Sequence, residues 1–137
     1  MKKTIAGVII ALAAVGAVVT FLVMNADKWN GDCKYSNYEV SNGNLVVSGG
    51  SFGITVPLSQ ISDAKMTDTM PHITTMTNGA WIRGFCKGEF ILENNVKANL
   101  YVNIISPPFI TFVHGDTVFY INAATPADTQ SLYDLIK

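Results

Sequence analysis

Cysteine is scarce in this chain, clustered positive charge is missing, and the residue spacings that hold metals or phosphates are not found. The 137 residues contain two cysteines, Cys33 and Cys86, 53 positions apart, so the disulfide-dense frameworks of small secreted scaffolds are excluded. Lys2 and Lys3 are two of the nine basic residues, which leaves seven basic against ten acidic side chains for everything after Met24. Nucleic-acid binding needs Lys and Arg grouped to neutralise phosphates, and a remainder of net charge −3 argues against it. No Gly-rich phosphate loop stands between a strand and a helix pattern. Cys33, His72, Cys86 and His114 lack the short ligand spacings of zinc sites. No cofactor is expected.

Charge is also absent from Thr4 to Met24, TIAGVIIALAAVGAVVTFLVM. A helix of that length, at about 1.5 Å per residue, crosses roughly 30 Å of hydrocarbon. Lys2 and Lys3 on its N-terminal side predict that this side stays cytoplasmic and that the rest of the chain lies outside. A signal peptide removed on export is the competing reading. Signal peptides have shorter apolar cores of about 7–15 residues and small residues before the cut, whereas Met24 stands two positions ahead of Ala26. The expected organisation is a cytoplasmic stub and membrane helix over 1–24, a polar tether over 25–34, and a β domain over 35–137. In the oxidising space outside the cytoplasm Cys33 and Cys86 are permitted a disulfide. A free buried Cys86 and a free Cys33 in the tether are the other reading.

Beyond the tether the dominant period is two, the mark of half-buried strands. Tyr35–Val40 and Leu45–Ser48 flank Ser41-Asn42-Gly43-Asn44, a hairpin signal because Asn-Gly accepts positive φ. Phe52, Ile54, Val56 and Leu58 alternate with smaller or polar residues, and Ala64–Thr67 is a further short strand. Asp68–Gly84 shows no clear period and reads as a long turn-rich loop. Strands resume at Gly88–Glu93 and Val96–Asn103, with Ala98, Leu100 and Val102 facing one way and Asn99, Tyr101 and Asn103 the other. After Ser106-Pro107-Pro108, Phe109–His114 and Thr117–Asn122 form a hairpin across Gly115-Asp116. Thr125-Pro126-Ala127-Asp128 starts a helix with a stripe of Leu132, Leu135 and Ile136.

This order of elements resembles the pleckstrin-homology-like fold, in the form found in bacterial PH domains. The likeness rests on Gly50–Ile61 (GSFGITVPLSQI), on Thr77-Asn78-Gly79 with Gly84 and Gly88-Glu89-Phe90, on Lys97–Val102, and on Tyr120-Ile121-Asn122 with Thr129 and Leu132-Tyr133. It covers about Tyr38 to Lys137. The resemblance implies a mainly β barrel of two near-orthogonal antiparallel sheets, capped by one C-terminal helix and here preceded by a transmembrane helix. Many eukaryotic members bind phosphoinositides through basic residues near the first hairpin. The corresponding turn here, Ser41–Asn44, has no Lys or Arg to bind an anionic headgroup, so phosphoinositide is not expected as a ligand.

Catalytic patterns are weak. Gly49-Gly50-Ser51-Phe52-Gly53 fits the G-x-S-x-G elbow, which works at a strand-to-helix turn above an α/β sheet. Here it separates two strand patterns, and its glycines read as permitting a tight bend or close backbone approach. His72 and His114, with Asp68 or Asp116, complete no spacing that points to a triad. Glu89 and Glu93 read as a solvated edge rather than an acid/base pair. A non-enzymatic role is expected. The stretch Met70–Gly84 is the candidate interaction loop, with His72, Asn78, Trp81 and Arg83 as its contact residues, because long loops in small domains are often functional and Trp and Arg are enriched at binding hot spots. The alternative is that it covers an open end of the barrel, with Trp81 and Ile82 inserted into the core. The expected role is a membrane-tethered module that docks a protein partner. A barrel binding a small ligand or lipid in a hollow lined by side chains such as Phe90 and Phe112 is the alternative.

Overall fold

Turn chemistry decides where the alternating segments become strands. Asn42 (φ 53°) and Gly43 (φ 76°) both occupy the left-handed region, which a two-residue hairpin turn requires. They join β1 (Asn37–Ser41) to β2 (Asn44–Ser48), which pairs in turn with β3 (Ile54–Pro57). The computed structural model describes residues 31–137, so the predicted membrane helix, and the tether as far as Asn30, lie outside the described residues. Among the described residues no helix is long and apolar enough to cross a membrane.

The chain is mainly β, in two sheets with a C-terminal helix. The first sheet is the β1-β2-β3 meander. The second has six strands: β4 (Ser62–Thr67), β5 (Ile73–Ile82), β6 (Phe85–Leu92), β7 (Val96–Asn103), β8 (Phe109–His114) and β9 (Thr117–Ile121), in the order β4-β8-β9-β7-β6-β5. The expectation of antiparallel sheets fails at one pair, because β7 and β9 run parallel. The connection over residues 104–108 reverses the chain but skips one strand position. The second strand of the β8–β9 hairpin therefore lies beside β7.

The alternation expected for β7 holds, and it sorts the interior into two clusters on opposite faces of one sheet. On one face Tyr101, Ile110, Phe112, Phe119 and Ile121 pack with Leu45, Val47 and Val56 of the small sheet and with Leu132 and Ile136 of the helix. On the other, Cys86, Phe90, Leu92, Ala98, Leu100, Val102 and Phe109 form a cluster with no second sheet across from it among the described residues. Curling of the sheet covers it. A flat sheet would put β4 and β5 about 24 Å apart, at roughly 4.8 Å per strand. The link over residues 68–72 spans at most about 21 Å, and it must also run from the level of Phe109 to that of Leu92. The two edges bend toward each other, and Met70 and Ile73 come down on this cluster.

Helix α1 (Pro126–Ile136) begins as its sequence requires, with the Thr125 hydroxyl accepting from the Asp128 amide at 3.1 Å and Pro126 in the first turn. Its buried stripe is Thr129, Leu132 and Ile136, and Leu135 is left 61% exposed. The expected stripe of Leu132, Leu135 and Ile136 is thus rotated. The helix faces the sheet at i, i+3 and i+7, and Tyr133 reaches the Ala64 carbonyl from its flank.

Tyr38 ties the two sheets together. Its hydroxyl donates to the carbonyls of Tyr101 and Asn122, each at 2.9 Å, and burial pushes its pKa well above the ordinary 10.0. Tyr101 is pushed up to about 12, also mainly by burial. A folded-state pKa above the unfolded one contributes stability that is complete below the unfolded value and is lost as pH rises through the folded one. Unfolding free energy, measured by urea titration, is therefore expected to fall as pH rises above 10. A Tyr38→Phe variant, about 1–2 kcal/mol less stable at neutral pH for its lost hydrogen bonds, is expected to show a shallower alkaline decline.

Candidate functional site

The stretch expected to be a loop is mostly strand. Residues 73–82 form β5, an edge of the six-stranded sheet, and Thr74 through Asn78 are all exposed. A strand exposed on both faces has no buried side to impose alternation, so the period-two signal vanishes. The β-branched residues Ile73, Thr74, Thr75 and Thr77 were the available sign of a strand. Thr74 and Thr77 turn their hydroxyls to the Ile91 and Glu89 carbonyls of β6. The register shifts between Ile73 and Thr75 and between Met76 and Asn78, and such irregularities increase the local twist of an edge.

The four candidate contact residues do not form one cluster. His72 and Trp81 meet at a depression of about 290 Å³ lined also by Met70, Pro71, Ile73 and Ile104. Trp81 is 47% exposed, and its ring stands edge-on to Phe90, with centroids 6.4 Å apart. The inserted-core alternative for Trp81 therefore does not hold; the indole covers the rim of the curled sheet. Asn78 belongs to another surface, where its amide donates to Glu89 Oε2 at 3.2 Å. Arg83 is exposed at the turn between β5 and β6, with φ of 55°. Met76, which sequence reasoning did not single out, is 48% exposed on the same strand. The interior is filled. Phe90 and Phe112 are 1% and 0% exposed, and Phe112 stacks on Phe119 with centroids 4.7 Å apart.

A second constellation centres on Lys87, a residue the sequence reading passed over. A lysine in a strand reads as solvent-facing, yet this one is 1% exposed. Its ammonium donates to the carbonyls of Gly31 and Gly49, the latter at 3.0 Å. Asp32, 4% exposed, accepts from the Ser51 amide at 2.8 Å and the Ser51 hydroxyl at 2.7 Å. Gly31 and Gly50 lie backbone against backbone, and a Cβ on either would collide with the other segment. Burial lowers the pKa of Lys87, opposed by the negative charge of Asp32 and then by Cys33. The expected tether 25–34 thus differs from the structure over residues 31–34, which are docked on the domain, because Asp32 and the Gly31 carbonyl complete this network.

This network also places the G-x-S-x-G serine. Gly49 (φ 96°) and Gly50 (φ 94°) make the bend before β3, and Ser51 is held by Asp32 rather than by a histidine. His114 instead pairs with Gln60 at 2.8 Å, and Asp116 faces Lys97 at 3.8 Å. Glu93 accepts weakly from the His72 amide at 3.4 Å. Among the described residues no three His, Cys, Asp or Glu side chains are grouped to hold a metal ion.

Both cysteines are free thiols, so the disulfide considered for Cys33 and Cys86 is not formed. Adjacent strand residues point to opposite faces. Cys86 lies in the cluster with Phe90 and Val102, while Lys87 beside it points to the Gly31–Cys33 segment on the other face. The sheet itself separates the two sulfurs. Comparison with family models, with curated proteins and with solved structures finds no match to this chain.

Burial pushes the Cys86 thiol up to about 12, and the thiolate is the reactive form. A maleimide applied to the folded protein at neutral pH is therefore expected to label Cys33 alone, and both cysteines in urea. Mass spectrometry of tryptic peptides reads the outcome, and rapid native labelling of Cys86 would contradict the buried position.

Proposed function

We propose that this chain is a membrane-tethered interaction module, a PH-like barrel held outside the cytoplasm by the Thr4–Met24 segment, and that it docks a protein partner through the β5 edge. The observation that carries this reading is the edge itself. Five consecutive exposed residues, Thr74–Asn78 with Met76 at their centre, lie on a strand with one side free of any neighbour among the described residues, and exposed Trp81 follows on the same strand. An open edge offers backbone donors and acceptors to an added strand, and side-chain pockets beside it supply selectivity. The depression between Trp81, His72 and Ile104 suits one apolar side chain of such a partner. The register shifts along β5 and its threonine-rich exposed run oppose indiscriminate pairing, which favours a dedicated partner over self-association.

The filled interior weighs against the alternative of a small ligand or lipid held inside the barrel, because ligand sites of that kind are preformed hollows. The PH-like reading draws on the order of elements, on the meander that precedes the large sheet and on the closing helix; the parallel β7–β9 pair is its departure from that pattern. Nothing in the Ser41–Asn44 turn supplies cations for a phosphoinositide.

Crosslinking in intact membranes followed by affinity capture tests the edge. The Met76→Lys, Trp81→Ala double variant is expected to lose the partner captured by the unaltered protein, by about tenfold or more if these are central contacts. Lys65→Ala, on the opposite edge strand, is expected to retain it. Equal capture by all three proteins would rule out the β5 edge.

A further inference from the structure

We propose that the end of the large sheet formed by the Arg83-Gly84 turn and the 104–108 connection rests on the lipid surface beside the chain's own anchor. The inference builds on the tethered reading above and adds an orientation to it. The first observation is where the described chain begins. Gly31 is fixed to the Lys87 ammonium, and Lys87 lies two residues from Phe85, the start of β6, about 7 Å along the strand. Tyr35 then packs edge-on against Phe85, with centroids 5.0 Å apart. The chain therefore enters the domain at this end of the sheet. Met24 and Gly31 are seven residues apart, at most about 25 Å when extended. On the tethered reading, in which residues 4–24 cross the membrane, this end lies close to the lipid surface.

The second observation is the contrast between the two ends, which an eight-residue strand such as β7 separates by about 27 Å. At the entry end the Ile104 amide donates to the Gly84 carbonyl at 2.9 Å, joining the turn to the 104–108 connection. Ile105 there is 76% exposed, more than Met76, Trp81 or Leu135. Exposed Lys34 and Arg83 accompany it. The nearby acid Asp32 is buried against Ser51, Asp128 lies across an open groove from Tyr35, and one exposed acid, Asp68, follows Thr67 where β4 pairs with Phe109. At the far end Glu93, Asn94, Asn95, Gly115 and Asp116 are all exposed, with no large apolar side chain among them. An apolar tip with two cations against one exposed acid suits the headgroup region, where aliphatic groups enter and Lys or Arg meet lipid phosphates. One isoleucine binds a bilayer only weakly, but a tether turns the contact into an intramolecular one at high effective concentration.

Full-length protein reconstituted in phosphatidylcholine–phosphatidylglycerol vesicles, with and without brominated acyl chains, tests this. Bromine quenches a tryptophan that reaches the acyl region. Four single-tryptophan proteins are compared: Trp29 retained with Trp81→Phe, and Ile105→Trp, Lys34→Trp or Lys97→Trp, each with Trp29→Phe and Trp81→Phe. The reporters at 105 and 29 are expected to lose about half their emission, the reporter at 34 a smaller part, and the far-end reporter at 97 none. Quenching at 29 with none at 105 or 34 overturns the docking and leaves the tether standing. Equal quenching at 97 and 105 overturns the end-on orientation. No quenching at any position removes the anchor, and both readings fall. The reporter at 34 leaves the 104–108 connection unaltered, so a folding defect in the Ile105→Trp protein does not block the test.

Discussion

A single buried ammonium fixes how this chain is arranged. Taking the Lys87 charge out of water is costly unless its donors are satisfied, and the carbonyls of Gly31 and Gly49 meet that demand. Those carbonyls come from the first described residues and from the bend before β3, so one side chain on the large sheet gathers two segments far apart in sequence. Asp32 adds favourable charge and binds Ser51. The entry point of the domain and the glycine-rich bend both follow from that network.

The large sheet has a second consequence. Its two faces each carry a cluster of buried side chains, yet among the described residues only one face has a partner sheet and helix. The other is closed by curvature and by the short link between β4 and β5. A curled sheet filled by Phe90, Leu92, Leu100 and Phe109 has no room for a ligand inside. The exposed apolar side chains Met76 and Trp81 lie instead on the edge strand β5, beside backbone that has no strand partner among the described residues.

Much of the fold was legible in the sequence because burial was one-sided where the pattern was clear. The Asn-Gly hairpin, β7 with its Ala98-Leu100-Val102 face, the β8–β9 hairpin and the capped helix all follow from turn chemistry and period. Beta5 was illegible for the converse reason: with both faces wet, nothing selects alternation. The parallel β7–β9 pair was hidden because strand order depends on where a short connection lands, which local pattern does not encode. Lys87 was missed because charge in a strand signals solvent, and its acceptors lie 38 and 56 residues away. The candidate contact residues were found by type, and the structure divided them between the Trp81–His72 depression, the β5 edge at Asn78 and the entry end at Arg83.

The network around Lys87 thus sets where the chain enters the domain: it holds Gly31 near the start of β6, while β5 stays an edge strand of the large sheet. Hydrogen exchange on full-length Lys87→Met protein tests that claim most directly. Amide protection over residues 31–35 and 49–51 is predicted to fall by roughly tenfold or more, while β7, β8 and β9 keep theirs. Unchanged protection in both segments would contradict the account, because the entry of the chain would then be held by something other than this lysine.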